Sequence, residues 1–283
     1  MNASSLIVGI AWLTLGQAAA QPPAETKPVW DSANAIEAFK AEAVEYVVRL
    51  ESRPRDKLVV EKEPALRWSN PARTGEDGAL FFWTLNGRPE LIGTLFTYRL
   101  NDKINRKHEF HSLATGPLTA EFRGNDVWTP RTAGVTFEPL AGAPEVAGTV
   151  RQRLTQMKAL ARDFSASMVD ADGESYELRL LTQPLIRYEP KDKDLLDGAV
   201  FAFSLGTDPE VLLLLEARVV GDSAQWQFAL ARFHYIELKA RYKDKEVWRA
   251  EILPNINNLN LGTDQYRDHP YTTYHVERGI PAE

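Results

Sequence analysis

Displaced by 120 residues, the chain matches itself. Pro64, Arg67, Asp77, Gly78, Ala79 and Phe81 fall on Pro184, Arg187, Asp197, Gly198, Ala199 and Phe201. Farther along, Leu85, Pro89, Glu90, Leu95, Asp102, Leu118, Ala120, Val127 and Trp128 fall on Leu205, Pro209, Glu210, Leu215, Asp222, Leu238, Ala240, Val247 and Trp248. These are 15 identities across positions 64–128 without a gap, where composition alone gives about four. Trp68/Tyr188, Trp83/Phe203 and Phe122/Tyr242 are aromatic in both copies. Such a chain is expected to fold as a tandem duplication, and the residues kept in both copies are those the repeating unit needs.

Each copy opens on an amphipathic pattern. Ile36, Phe39, Ala43, Val47 and Leu50 recur at helical spacing, with Asn34 and Glu37 placed as a capping box (Ser32 is an alternative cap) and Pro54 as a stop. Val150, Leu154, Met157, Leu160 and Phe164 repeat the pattern behind Thr149, a capping residue. Strand-like text follows. Ala79 to Leu85 and Leu91 to Leu100 flank Asn86-Gly87-Arg88-Pro89, and Ala199 to Leu205 and Val211 to Val219 flank Gly206-Thr207-Asp208-Pro209. A turn dipeptide between two apolar runs predicts an antiparallel hairpin. Further strands are expected over His108 to Leu113, Leu118 to Phe122, Gln225 to Phe233 and Ile236 to Tyr242, and a hairpin turning at Asp172-Gly173. The predicted fold class is α+β: each copy an amphipathic helix followed by a curved antiparallel sheet, in the element order of cystatin-like or NTF2-like shapes. The units are read as 31–130 and 144–250, joined by a linker over 131–143 and followed by an irregular tail over 251–283.

The first 20 residues carry no charged side chain and run through an apolar stretch, Leu6 to Leu15, into Ala18-Ala19-Ala20. That layout predicts a cleavable secretory signal over 1–20, cleaved after Ala20, then a polar Pro-rich linker over 21–30, and hence a secreted or periplasmic protein. No later run is long and apolar enough for a membrane span. With no cysteine, disulfides and thiol chemistry are excluded, and the core alone must hold the fold. A net charge of −6 with dispersed Lys and Arg disfavours nucleic acid as a partner.

The motifs that announce chemistry are missing: there is no G-x-S-x-G elbow, Gly-rich phosphate loop or H-E-x-x-H helix. His108-Glu109-Phe110-His111 is one residue short of the last, and on a strand its two imidazoles point to opposite faces. These are read as surface or interface histidines. His111 with Ser112 would make a base–nucleophile pair in a single asymmetric site, but adjacent residues on a strand point apart, which disfavours it. Asp192, Asp194 and Asp197 form a run that departs from a calcium loop, and Asp170-Ala171-Asp172-Gly173 reads as turn chemistry. Asp77-Gly78 and Asp197-Gly198 read as turns whose glycines take a positive φ. Trp128 and Trp248 read as core caps, and Glu216 with Arg218 marks a wet or interface side of its strand.

Among the residues kept in both copies, Arg67 and Arg187, each before an aromatic, and Glu90 and Glu210, each after a proline, are candidate ligand-binding groups. They read either as ion pairs bracing a sheet or as groups orienting a polar ligand on it. His111 and His234 are the histidines added to this candidate set. No catalytic residue, metal or cofactor is assigned.

From Leu180 the text Leu-Leu-Thr-Gln-Pro-Leu-Ile-Arg-Tyr-Glu-Pro, then Asp197-Gly-Ala-Val-Phe-Ala-Phe203 and Gly206-Thr-Asp-Pro-Glu210 through Arg218, resembles a family of uncharacterised secreted proteins of planctomycete bacteria. Phe110-His111-Ser112-Leu113 with Thr115-Gly116-Pro117 resembles it too. The resemblance implies an envelope or extracellular location and carries over no activity. The leading expectation is a non-enzymatic secreted protein that binds an envelope partner or a small polar ligand. The alternative is a hydrolase or other enzyme with a pocket on one sheet or between the repeats.

Overall fold

A computed structural model of the chain describes residues 34–70, 75–170, 172–190 and 194–281. The expected signal and the 21–30 linker lie outside them. Among the described residues the chain forms eighteen strands and two α-helices.

The first half contains α1 (Ala35–Ala43), β1 (Tyr46–Leu50), β2 (Val59–Val60), β3 (Leu66–Asn70), β4 (Gly75–Leu85), β5 (Arg88–Leu100), β6 (Lys103–Ser112), β7 (Leu118–Phe122) and β8 (Asn125–Trp128). A short strand, β9 (Glu138–Pro139), leads to the second half. There follow α2 (Val150–Arg162), β10 (Phe164–Val169), β11 (Ser175–Leu180), β12 (Ile186–Tyr188), β13 (Leu195–Leu205), β14 (Asp208–Val220), β15 (Ser223–Arg232), β16 (Glu237–Tyr242) and β17 (Lys245–Ala250). The bounds of β4, β5 and β6 recur in β13, β14 and β15 at the same 120-residue offset seen in the sequence. A last strand, β18 (Tyr271–Pro281), returns to lie antiparallel to β6.

The α+β class is corrected by this architecture. The molecule is mostly β, built of curled antiparallel sheets, with helices of only 9 and 13 residues. Neither the helix-then-sheet repeat nor the cystatin-like or NTF2-like order describes it. The reason is visible at the helix ends. Val47 and Leu50, counted into the first helix by their spacing, belong to β1, and Phe164 belongs to β10. Tyr46, Val47 and Val48 are aromatic and β-branched, which favours an extended chain. Asn34 makes no capping hydrogen bond, whereas Thr149 accepts one from Gln152 N as expected. The tail is also corrected: β18 is a full sheet member rather than irregular chain.

The hairpins follow their turns. Asn86 and Gly87 take φ of 52° and 87°, the left-handed pair that lets two strands reverse without splaying. Asn101 and Asp102 do the same between β5 and β6, at 50° and 56°.

Three sheets result: β1-β7-β8, then β18-β6-β5-β4-β2 with β3 also on β4, and a continuous β17-β16-β10-β11-β13-β14-β15-β9 with β12 on β13. Side chains alternate across each sheet, so the two central sheets each supply two cores. One face of β4–β6 packs under α1 and β1-β7-β8 through Phe39, Trp83, Phe110, Phe122 and Trp128. The corresponding face of β13–β15 packs under α2 with Met157, Phe201, Phe203, Trp226 and Leu238. The opposite faces meet each other: Leu80, Phe82 and Ile92 stack on Val200, Leu212 and Leu214. The segment read as a linker is drawn into these cores, Val135 into the shared one and Leu140 into that of the second half.

Candidate functional site

The shared core does not cover the whole face of the first sheet. Cross-strand partners share a face, and the registers Phe96↔Lys107↔His275 and Thr94↔Glu109↔Thr273 place two rows side by side on the face that carries Ile92. Where the second half no longer stacks on these rows, a cavity of about 360 Å³ opens. Trp68, Phe96 and Tyr98 form an aromatic wall. Asp208, His234 and Tyr235 of the second half close one side, and Asn257, Asn258 and Arg278 close another.

The floor holds buried polar groups. Lys107 is 4% exposed; its ammonium donates to Asn257 O at 3.2 Å and to Asn257 Oδ1 at 2.5 Å. Burial pushes this amine down to about 8; Glu109 opposes the shift and Arg278 adds to it. Glu109 accepts from Tyr271 OH at 2.6 Å, and burial together with that carboxylate holds the phenol protonated, well above its ordinary range. Burial and the nearby cations Lys107 and Arg278 outweigh a backbone hydrogen bond and lower His275 to about 4, so its ring is neutral at pH 7. Its Nδ1 lies 3.0 Å from Leu259 O and 2.8 Å from Arg278 Nη2, and its Nε2 lies 2.7 Å from Tyr98 OH. Thr273 is 1% exposed, and its hydroxyl has no hydrogen-bond partner. An orphan hydroxyl in a cavity wall is costly unless something fills the gap.

The sequence candidates scatter around this cavity. His234 lines it, with Nδ1 accepting from Ile236 N at 3.2 Å and the ring stacked on Tyr235. His111 faces a different cavity, of about 330 Å³, beside Arg232 and His269; its Nδ1 donates to Ser112 O at 2.7 Å, and burial lowers it to about 3. Glu210 is fully buried near Tyr271. Glu90 belongs to a buried ion cluster between the halves. Arg88 donates to Glu90 at 2.7 Å and to Glu216 at 3.0 Å, and Glu216 also takes Tyr188 OH at 2.8 Å and Arg218 at 2.6 Å. Burial raises Glu90, and Arg88 beside it restrains the rise. The interface side read from Glu216 and Arg218 is thus the seam between the two central sheets.

The two conserved-in-copy arginines have different fates. Arg187 grips Asp197 at 3.1 and 2.6 Å, and Arg153 of α2 reaches the same carboxylate at 2.9 Å. Asp197 thereby braces α2 on β13; Asp192 of the same run lies outside the described residues. Arg67 is exposed and lies 3.9 Å from Glu63. The glycines beside the aspartates are corrected as well: Gly78 and Gly198 lie within strands, and a Cβ on either would run into the ring of Trp68 or Tyr188. They are glycine for space, not for a positive φ.

His108 and His111 do point to opposite faces of β6, but neither is a surface residue; they are 1% and 4% exposed. His108 joins a buried chain that sequence reasoning missed. Its Nε2 donates to Glu42 at 3.0 Å, its Nδ1 accepts from Tyr46 OH at 2.6 Å, and Tyr46 meets Tyr274 OH at 2.7 Å. Burial pushes this imidazole well below its ordinary range, so the neutral ring fits the pairing with an acceptor-only carboxylate. The chain lines neither of the two cavities described, and its role is to satisfy polar groups inside the first core.

Also missed were Lys107, Tyr271 and Thr273. One signal was available: Lys107, Glu109 and His111 alternate on a strand, a charged row where one face was expected to be apolar. Among the described residues no cluster of His, Asp and Glu could hold a metal ion, and no helix is long and apolar enough to cross a membrane. No family model, curated protein or solved structure matches the chain.

Proposed function

We propose that this protein is a non-enzymatic binding module that takes a small polar ligand in the cavity above β5, β6 and β18. One observation carries the reading: a preformed cavity of about 360 Å³ joins an aromatic wall to a buried lysine, a buried carboxylate and an orphan threonine hydroxyl. Apolar walls with a few convergent polar groups are what small-ligand sites have in common. The enzyme alternative needed two of Arg187, Glu210, His111 and His234 in one cleft. His234 and His111 line separate cavities, and Arg187 is bound to Asp197.

Two further parts of the proposal rest on the sequence. The uncharged apolar segment ending at Ala20 supports export to the periplasm or beyond, as does the resemblance to secreted planctomycete proteins. The 120-residue offset shared by β4–β6 and β13–β15 supports an origin by internal duplication. Thermal unfolding of the chain against sugars, amino acids, small acids, amines and lipids tests the binding reading. A ligand held only by the folded state raises the midpoint, and Lys107→Met is expected to abolish that rise. A flat response across the whole panel would overturn the reading.

A further inference from the structure

We infer that Lys107 is a nucleophilic amine and that the cavity takes a small aromatic aldehyde by reversible imine formation with it. This inference rests on the cavity being the binding site and names the chemistry by which it binds.

Lys107 has the surroundings that turn a lysine from a charge into a nucleophile. It is 4% exposed and lines the cavity beside Phe96, its register partner on β5. Opposite it on β18 stands His275, which is neutral at pH 7. Desolvation and a neighbouring cation are two means by which proteins free an amine of its proton. Both act here: burial and the Arg278 guanidinium bring the amine down to about 8 against the pull of Glu109, where an ordinary lysine titrates at about 10.4. Its hydrogen bonds fit the neutral form. Asn257 O and Asn257 Oδ1 are both acceptors, at 3.2 and 2.5 Å. A neutral amine has two N–H groups to give them, and its lone pair is left over.

That lone pair adds to the carbonyl carbon of the aldehyde, and the carbonyl oxygen takes up one amine proton to give a carbinolamine. The carbinolamine hydroxyl leaves with the second amine proton as water while the C=N bond forms. A proton taken back from solvent leaves the imine cationic, with one N–H for Asn257. Nothing is oxidised or reduced, and hydrolysis returns both reactants, so the step is a mode of binding. Thr273 stands in the adjacent row of the same face and also lines the cavity. Its buried hydroxyl has no partner, and it is the donor available to a carbonyl oxygen that is gaining charge.

The walls select the body of the aldehyde. Trp68, Phe96 and Tyr98 face the cavity, and Trp68 and Phe96 are held at 5.5 Å between centroids with an interplanar angle of 44°. A third ring packs favourably on such a pair. A neutral carbonyl compound asks for no free counter-ion among the charged groups around it. The volume of about 360 Å³ lies at the small end of ligand pockets, roughly 300–1,000 Å³, and suits a single ring.

Benzaldehyde with sodium cyanoborohydride at pH 7 tests the step, because the reagent reduces an imine to a stable benzylamine and spares the aldehyde. Two pKa units leave roughly a hundredfold more neutral amine, part of which is offset by lower intrinsic nucleophilicity. Peptide mapping by mass spectrometry is therefore expected to find Lys107 benzylated at least tenfold faster than any other lysine, a preference lost in concentrated urea. Thr273→Val removes the hydroxyl at nearly constant size and is expected to slow labelling of Lys107 several-fold with no fall in the melting midpoint; an unchanged rate takes Thr273 out of the step. Labelling of Lys107 no faster than that of exposed lysines overturns the inference. Benzaldehyde also joins the unfolding panel, so that the two readings fail separately. A panel compound that raises the midpoint, without selective labelling of Lys107, leaves the binding reading standing alone. A flat panel without selective labelling ends both.

Discussion

Asp197 and Arg67 show how differently residues matched between the two copies are used. Asp197 is fully buried and accepts from Arg153 and Arg187. Asp197→Ala leaves a buried guanidinium without its counter-ion and is expected to lower unfolding free energy by about 3–5 kcal/mol. Arg67→Ala removes an exposed pair 3.9 Å apart and is expected to change it by no more than about 0.5 kcal/mol. Urea titration of the two variants checks the contrast; similar losses would show that Arg67 also braces its strand. A second test concerns His111, whose folded value is lowered to about 3 by burial. The unfolded chain binds this proton first, so its contribution is fully present above about pH 6.5 and is lost as pH falls from there toward 3. His111→Phe is expected to show a shallower loss of stability over that window than the unmodified chain. Parallel curves would remove the assignment.

Strands and turns obey local rules wherever the chemistry is local. Asn86-Gly87 and Asn101-Asp102 reverse the chain because these residues tolerate left-handed backbone, and Asp170 Oδ1 accepts from Asp172 N and Glu174 N, both at 2.9 Å, to form the turn expected there. The hairpins were therefore legible. The helix ends were not, because Val47, Leu50 and Phe164 continue a helical period while Tyr46, Val48 and Leu50, and Phe164, Ala166 and Met168, alternate as strands, and packing decided between them. Gly198 illustrates the same limit. A glycine beside an aspartate resembles a turn, yet here it makes room for Tyr188, whose hydroxyl must reach Glu216 at 2.8 Å. Gly198→Ala is expected to cost about 1–3 kcal/mol and to loosen the Tyr188 contact, which near-ultraviolet dichroism reads. A neutral result would mean that the ring moves aside freely.

The two halves share a core and exchange a strand. Leu80, Phe82 and Ile92 pack into one core with Val200, Leu212 and Leu214 of the second half, and each buried aliphatic or aromatic side chain contributes about 1.5–3 kcal/mol. The ion cluster around Glu216 closes the same seam, and β18 completes the first sheet from beyond the second half. Chains comprising 31–130 or 144–250 alone are accordingly expected to lack cooperative unfolding and to bind hydrophobic dyes. The complete chain is expected to unfold in one transition, with tryptophan fluorescence and far-ultraviolet dichroism coincident. Two resolved transitions would mean that each half is stable without the other. What could be read from residue order was what neighbours in the chain decide: alternation, turns, the offset between copies and the Thr149 cap, all set by backbone sterics and local hydrogen bonds. The cavity was of the other kind. Tyr271 meets Glu109 across 162 residues and Lys107 meets Asn257 across 150. A polar side chain on a strand becomes a buried binding group only when distant chain closes over it, and which segment does so is settled by the packing of the whole core.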